Sequence, residues 1–335
     1  MGAVRPLRTQ EAEPLRLAVP PIDPAALAGW DPHAAVIELD GATMGTRWRA
    51  RFAAPPRLDL PGLTRAIEAM LGEIVAEMSH WAPDSLISRF NRMPAGRWVA
   101  LPPDFATVMA AALAVAEASG GAFDPAVGAL VNLWGYGPVS RLQPPDAATI
   151  DAAVSDGGWR QLSFDPAARR LQRLGDGQLD LSGIAKGHAV DRLSAVLAAH
   201  DVRHSLVEIG GEFVGRGLRP DGDPWWVELE TPGAMAAPIR VALHQLAVAT
   251  SGDYVRGRHT IDPRTGRPVA HGLAVSVIHR SAMLADAWAT ALGVAEPDEM
   301  IALAEAHDLA ARALIRRRDG VAEWISPALA QMIEA

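Results

Sequence analysis

The sequence contains no cysteine. Disulfides, thiolate zinc sites, a cysteine nucleophile and a cysteine-borne lipid anchor are therefore excluded. No apolar run approaches the ~20 residues of a membrane span. The N-terminal stretch has no apolar h-region and is interrupted by arginine and glutamate, so it does not read as a secretory signal. The expectation is a cytoplasmic protein as written, or a periplasmic one if a leader was removed. Positive charge is not in excess: 31 Lys and Arg stand against 39 Asp and Glu, for a net charge of -8. That balance steers the chain toward neither nucleic acid nor an anionic membrane. A phosphate-bearing small ligand would need local cations or a metal. Neither the G-x-x-x-x-G-K-[ST] phosphate loop nor the G-x-G-x-x-G dinucleotide fingerprint is present, and no repeat of fixed period is found.

What is present is enough apolar material for a sizeable core: 335 residues, 49% hydrophobic. This suits one large domain or two fused subdomains. Pro6, Pro14, Pro20, Pro21, Pro24 and Pro32 deny regular hydrogen bonding to the start of the chain, so residues 1–33 are expected to form an extended arm. Order is expected over residues 34–335, as that one large domain or pair of subdomains. Trp48, Ala50 and Phe52 alternate as in a strand, after a bend at Gly45. Leu63, Ile67, Met70, Leu71, Ile74, Val75 and Met78 recur at steps of three and four, which predicts a helix with one buried stripe. A second helix is predicted over 104–118, stopped by Gly120 and Gly121. R-Q-L-S-F-D, R-L-Q-R-L and Q-L-D-L-S read as a three-stranded meander. Later strands and helices mix without strict βαβ alternation, so the class is α+β.

Glycine, proline and polar residues cluster where elements should end, as in loops that carry function on a rigid scaffold. Asp286 and Thr290 are four apart in a helical stretch and so share a face. Their oxygens suit Mg²⁺; equally, they suit a dipole-favouring Asp and a Thr bonded back to its helix. His259 stands before the tight D-P-R-T-G turn, either as a general base or as a structural histidine. Thr250, Ser251 and Gly252 form a phosphate nest or a plain strand-to-loop turn. Phe123, Asp124, Trp134 and Tyr136 lie in a glycine-lined segment able to stack a flat ring or anchor packing. Pro83, Asp84 and Ser85 carry a capping pattern for a new helix. In L-S-G-I-A-K-G, Gly183 permits close backbone approach, and Lys186 adds a positive charge at a helix start that already favours anions.

The order of these motifs is more telling than any one of them. T-M-G-T, S-x-W-x-P-D-S-x-I-S-R-F-N, G-x-F-D-P, D-L-S-G-I-A-K-G, E-I-G-G-E, A-T-S-G-D-Y, H-x-I-D-P-x-T-G-x-P and A-D-A-x-A-T follow one another between Thr43 and Thr290. In this the chain resembles the ApbE family, the FAD:protein FMN transferases. The resemblance implies an α+β fold of two interleaved α/β subdomains with the flavin site between them. It implies Mg²⁺-dependent cleavage of FAD as substrate, with FMN passed to a threonine or serine of an acceptor protein and AMP released. FAD hydrolysis without an acceptor, or flavin binding without catalysis, are the alternatives. By the same resemblance, Asp286, Thr290 and the main-chain oxygen of Gly183 would hold the metal. Met44, Trp81, Ala122, Phe123, Asp124, Asp180, Lys186 and the backbone near Thr260 and Ile261 would contact FAD. Thr250, Ser251 and Gly252 would wrap the phosphates, and His259 would deprotonate the acceptor hydroxyl, with Lys186 and Asp286 sharing in catalysis. The chain departs from the family pattern in having no signal or anchoring cysteine, and in carrying Trp81 where tyrosine is also common.

Overall fold

The computed structural model describes residues 5–6, 14–139, 141, 143–234, 236–253, 257, 259–318 and 320–334. Tyr254 of the A-T-S-G-D-Y motif and most of the first thirteen residues lie outside that set. Strands β1 (Arg5–Pro6) and β2 (Arg16–Ala18) precede the hairpin β3 (Val36–Thr43) and β4 (Thr46–Ala53). Helices α1 (Leu60–Met78) and α2 (Leu86–Arg92), strand β5 (Trp98–Ala100) and helices α3 (Pro103–Ala118), α4 (Gly128–Leu133) and α5 (Ala147–Asp156) follow. Strands β6 (Leu162–Asp165) and β7 (Arg170–Arg173) lead to α6 (Ala185–Ala199). Next come β8 (Ser205–Ile209), β9 (Glu212–Arg216), β10 (Trp225–Glu228), β11 (Ile239–Leu243) and β12 (Ala247–Gly252). Strands β13 (Ile261–Asp262), β14 (Arg267–Pro268) and β15 (Gly272–His279) precede α7 (Ala282–Val294) and α8 (Pro297–Ala306). The chain closes with β16 (Ala310–Arg317), β17 (Gly320–Ile325) and α9 (Pro327–Glu334).

Among the described residues, nine strands form one sheet in the order β1-β17-β16-β15-β12-β9-β8-β4-β3. Every pairing within it is antiparallel. The class is α+β, as the sequence implies. The central strands are covered on both faces. On β12 and β15, Ala249 and Val277 join the large core with α1, α3, α6 and α7. Their neighbours Val248 and Ile278 join a second cluster with Ala18, Val241 and Leu329. Side chains alternate between faces along a strand, so a strand buried on both sides reads as a continuous apolar run.

Helix α1 takes the predicted stripe. Leu63, Ile67, Met70, Leu71, Ile74 and Met78 are buried, and Asp59 caps the first turn by accepting from the Gly62 N–H at 3.0 Å. Each such buried side chain contributes about 1.5–3 kcal/mol by leaving water. The predicted stop after α3 also holds: Gly120 and Gly121 take φ of +60° and +87°, left-handed values that cost a side chain dearly.

Two local expectations are corrected. The meander has two of its three strands: β7 pairs with β6 and, on its other side, with β5 from earlier in the chain, while the Q-L-D-L-S stretch makes only an isolated bridge at Gln178. The arm is not barred from sheet pairing. Three proline-free residues between Pro14 and Pro20 suffice for β2 to add in parallel to β11. The capping pattern before α2 holds: Ser85 is the cap, accepting from the Ser88 N–H at 3.1 Å.

Candidate functional site

Three of the stretches that the sequence singles out, T-M-G-T, E-I-G-G-E and A-T-S-G, meet at one end of the large sheet. The β3–β4 hairpin turns on Met44 and Gly45, both at positive φ (50° and 72°). This is the geometry that fits a two-residue turn to twisted strands. Its register places the turn beside the Gly210–Gly211 turn that joins β8 to β9. Met44 packs partly buried on the large core. Glu212, the first residue of β9, lies at the same end, as do Thr250 to Gly252 at the end of β12.

Helices α6 and α7 bring Gly183, Lys186, Asp286 and Thr290 together. A Cβ placed on Gly183 would lie 2.7 Å from Thr290 Oγ1, so only glycine leaves that space open. Asp286, buried one turn before Thr290, accepts from the Gly187 N–H at 3.0 Å. The Lys186 ammonium pairs with Glu212. Both carboxyls are pushed above the usual range. Burial drives Glu212 up to about 7, with Lys186 pulling it down and Asp286 pushing it up. Burial likewise raises Asp286, opposed by Lys186 and by the Gly187 N–H. A second cation near these acids would relieve that strain. A cation seated there would take the Asp286 carboxylate, the Thr290 hydroxyl and a backbone carbonyl as donors. Among the described residues no cluster of three His, Asp or Glu exists that could hold a metal by itself. Such a set fits Mg²⁺, which keeps several positions for water and substrate phosphate.

Glu212 is the residue that sequence reasoning missed. Its motif, E-I-G-G-E, is visible, but nothing in it says that the last carboxylate is buried under Lys186. The lysine is expected to face a ligand phosphate; in the structure its ammonium first has Glu212.

The nest residues are also grouped. Ser251, Gly252 and Thr260 line a narrow cavity with Gly272 and Gly293. Thr250 Oγ1 lies 2.8 Å from Ser276 Oγ, so this hydroxyl is engaged in the sheet. Ile261 is buried in β13, where only its backbone can serve a ligand. His259 stands edge-on to Tyr136, ring centroids 6.5 Å apart. Its Nδ1 is 2.9 Å from the Gly257 carbonyl. A carbonyl only accepts, so Nδ1 carries the proton and Nε2 of the neutral ring is left as a base.

Ala122 and Phe123 are buried in the large core, in line with the packing alternative for that segment. Asp124 is also buried. It accepts from the Ala126 N–H at 2.7 Å and the Trp159 N–H at 3.0 Å. Burial nonetheless pushes it up to about 6. Asp180 accepts from the Ser182 N–H at 2.8 Å and faces His80 Nδ1 at 3.5 Å. His80 in turn lies against Trp81, which is 59% exposed. Beside them runs a groove of about 460 Å³ between α2, α4, α5 and Gln178–Asp180.

A raised native value for Asp124 has a defined sign. Its stabilisation is complete below the unfolded aspartate range and is lost as pH rises to about 6. The span corresponds to about 3 kcal/mol. Urea melts of the wild type between about pH 4 and 7 should therefore show a downward slope that Asp124→Asn lacks. Parallel profiles for the two proteins would refute the assignment.

The fold and site define a class. The family model described as "ApbE family" matches residues 44–315, and the chain belongs to that family. Among its relatives is a Vibrio cholerae protein named FAD:protein FMN transferase, 34% identical, with 90% of this chain and 93% of that protein covered. A Haemophilus influenzae protein of the same name is 32% identical over 92% of this chain and 95% of its own. Of the solved structures, the Pseudomonas stutzeri flavinyl transferase ApbE in its apo form superposes with a TM-score of 0.84 at 36% identity, covering 90% of this chain and 98% of its own.

Proposed function

We propose that this chain transfers FMN from FAD to a threonine or serine hydroxyl of an acceptor protein and releases AMP, with Mg²⁺ required. The observation that carries this reading is the convergence of Gly183, Lys186, Asp286 and Thr290 where α6 meets α7. In the same reading, residues 34–335 act as one transferase domain and residues 1–33 as an arm. Asp286, Thr290 and the Gly183 carbonyl would hold the magnesium, which when bound withdraws charge from the pyrophosphate oxygens.

The chain's own residues supply the rest. Ser251 and Gly252 offer small groups at the strand end for the phosphates. Trp81, Met44, Asp124 and Asp180 border the space for the flavin and the nucleoside. Lys186, seated between Glu212 and the ligand, adds positive charge to the oxygens that gain negative charge. The acceptor oxygen attacks the FMN phosphorus, and the bond from that phosphorus to the bridging oxygen breaks. AMP leaves with the electron pair, and His259 Nε2 takes the hydroxyl proton.

The direct test is mass spectrometry of co-expressed candidate acceptors, with FAD and Mg²⁺, for FMN on a threonine or serine. Fast AMP release with no acceptor modified would assign hydrolysis instead. His259→Ala should slow single-turnover transfer by about a hundredfold or more, the usual share of a general base. FAD binding, followed by flavin fluorescence, should change little. An unaltered transfer rate would remove His259 from the reaction.

A further inference from the structure

Helices α6 and α7 carry most of the candidate cation site, so its existence depends on how one sits on the other. They touch at two levels. At the first, a Cβ on Gly187 would come within 2.2 Å of the Ala282 carbonyl and 2.8 Å of Asp286 Cβ. The backbones are therefore in contact, and the Gly187 N–H bonds to Asp286 across the gap.

The second level lies one turn further along α6, at Asp191. Its carboxylate takes three bonds at the start of α7. Oδ1 accepts from the Ala282 N–H at 2.9 Å, and Oδ2 accepts from the Ser281 hydroxyl at 2.7 Å and the Met283 N–H at 3.0 Å. These amides are among those a helix start leaves without intrahelical partners. Helix α7 already has its own cap, since Ser281 Oγ accepts from the Leu284 N–H. A carboxylate from the neighbouring helix adds something that Ser281 cannot: it fixes which face of α7 meets α6, and at what height.

We propose that Asp191 is a positioning residue for the cation site. It locks the register of α7 on α6 and so places Asp286 and Thr290 against Gly183. A slip of one residue would move those oxygens about 1.5 Å along the axis and about 100° around it. Asp191 touches none of the ligands itself. The inference rests on reading the α6–α7 junction as a cation site.

The test uses the full chain and manganese(II) alone as the probe, with binding followed by loss of the free-ion electron paramagnetic resonance signal. Asp191→Ala should weaken manganese binding by about tenfold or more, the range seen when a group that orients metal ligands is removed. Asp191→Asn, which keeps one acceptor oxygen, should fall between it and the wild type. Ser281→Ala removes the helix's own cap but leaves two of the three bonds to Asp191. It should lower Tm yet bind manganese within about twofold of the wild type. Amide exchange should quicken at Ala282–Leu284 in Asp191→Ala.

If Asp191→Ala lowers Tm but takes up manganese like the wild type, the residue is only structural and the inference is overturned. Should Asp191→Ala fail to fold, the same comparison between Asp191→Asn and Ser281→Ala decides it. If the wild type takes up no manganese, or Asp286→Ala binds it unchanged, the cation reading fails first and takes this inference with it.

Discussion

Asp286→Ala should lower the rate of FMN transfer by about a thousandfold, equivalent to about 4 kcal/mol of transition-state stabilisation. Asp286 is the only carboxylate among the proposed ligands, and a pyrophosphate cannot be split cheaply while its charge goes unmatched. Wild-type enzyme in excess chelator should fall to the same floor. Asp286→Asn separates this role from packing. It keeps an oxygen to accept from the Gly187 N–H, a bond of 3.0 Å, but loses the charge. It should be as slow as the alanine variant while melting close to the wild type. An asparagine variant running at wild-type speed would sink the metal assignment.

The second large effect concerns stability. Arg312, 1% exposed, donates from Nε to Glu323 Oε1 at 2.8 Å, and Arg16 reaches the same oxygen at 2.6 Å. The rest of the Arg312 guanidinium bonds Thr231 Oγ1 and the Ala237 carbonyl. Burial pulls this guanidinium below its ordinary value, and Glu323 opposes the pull. Glu323→Ala would leave the buried Arg312 guanidinium beside that of Arg16, with the half-exposed Glu228, already paired with Arg240, as its remaining counter-charge. Breaking a buried pair from one side costs about 3–5 kcal/mol. Equilibrium urea unfolding should register that loss as a lower midpoint. A change below about 1 kcal/mol would mean that water or a rearranged partner already serves Arg312.

Much of the candidate site was legible because its proposed chemistry sits in contiguous motifs. L-S-G-I-A-K-G and A-D-A-W-A-T each carry their reactive atoms within a few residues, and the helical step puts Asp286 and Thr290 on one side. What joins the two motifs could not be read. Glu212 and Asp191 act across gaps of 26 and 90 residues, and no local pattern encodes such pairings. The same limit applies to the fold. Helix α1 announces itself by a stripe of one period. Strand β16 does not, because Ala310 to Ile315 are buried on both faces and show no alternation. Helix α7 is alanine-rich for a spatial reason: Ala282, Ala285, Ala287, Ala289 and Ala291 are all buried where α6 and the sheet close in. Phe123 was legible only as a choice between ring stacking and packing, and its side chain joins the large core.

Strand β2 has a consequence for handling the protein. It lies beside β11 and against α9, where the Val19 N–H bonds the Met332 carbonyl at 2.7 Å. The head of the chain thus seals the seam at its tail. Trimming the polypeptide beyond Ala18 would bare the rim of β11 and the aliphatic cluster beneath it. Unpaired rims of that kind recruit other chains, so shortened preparations should clump at concentrations where the intact protein remains dispersed.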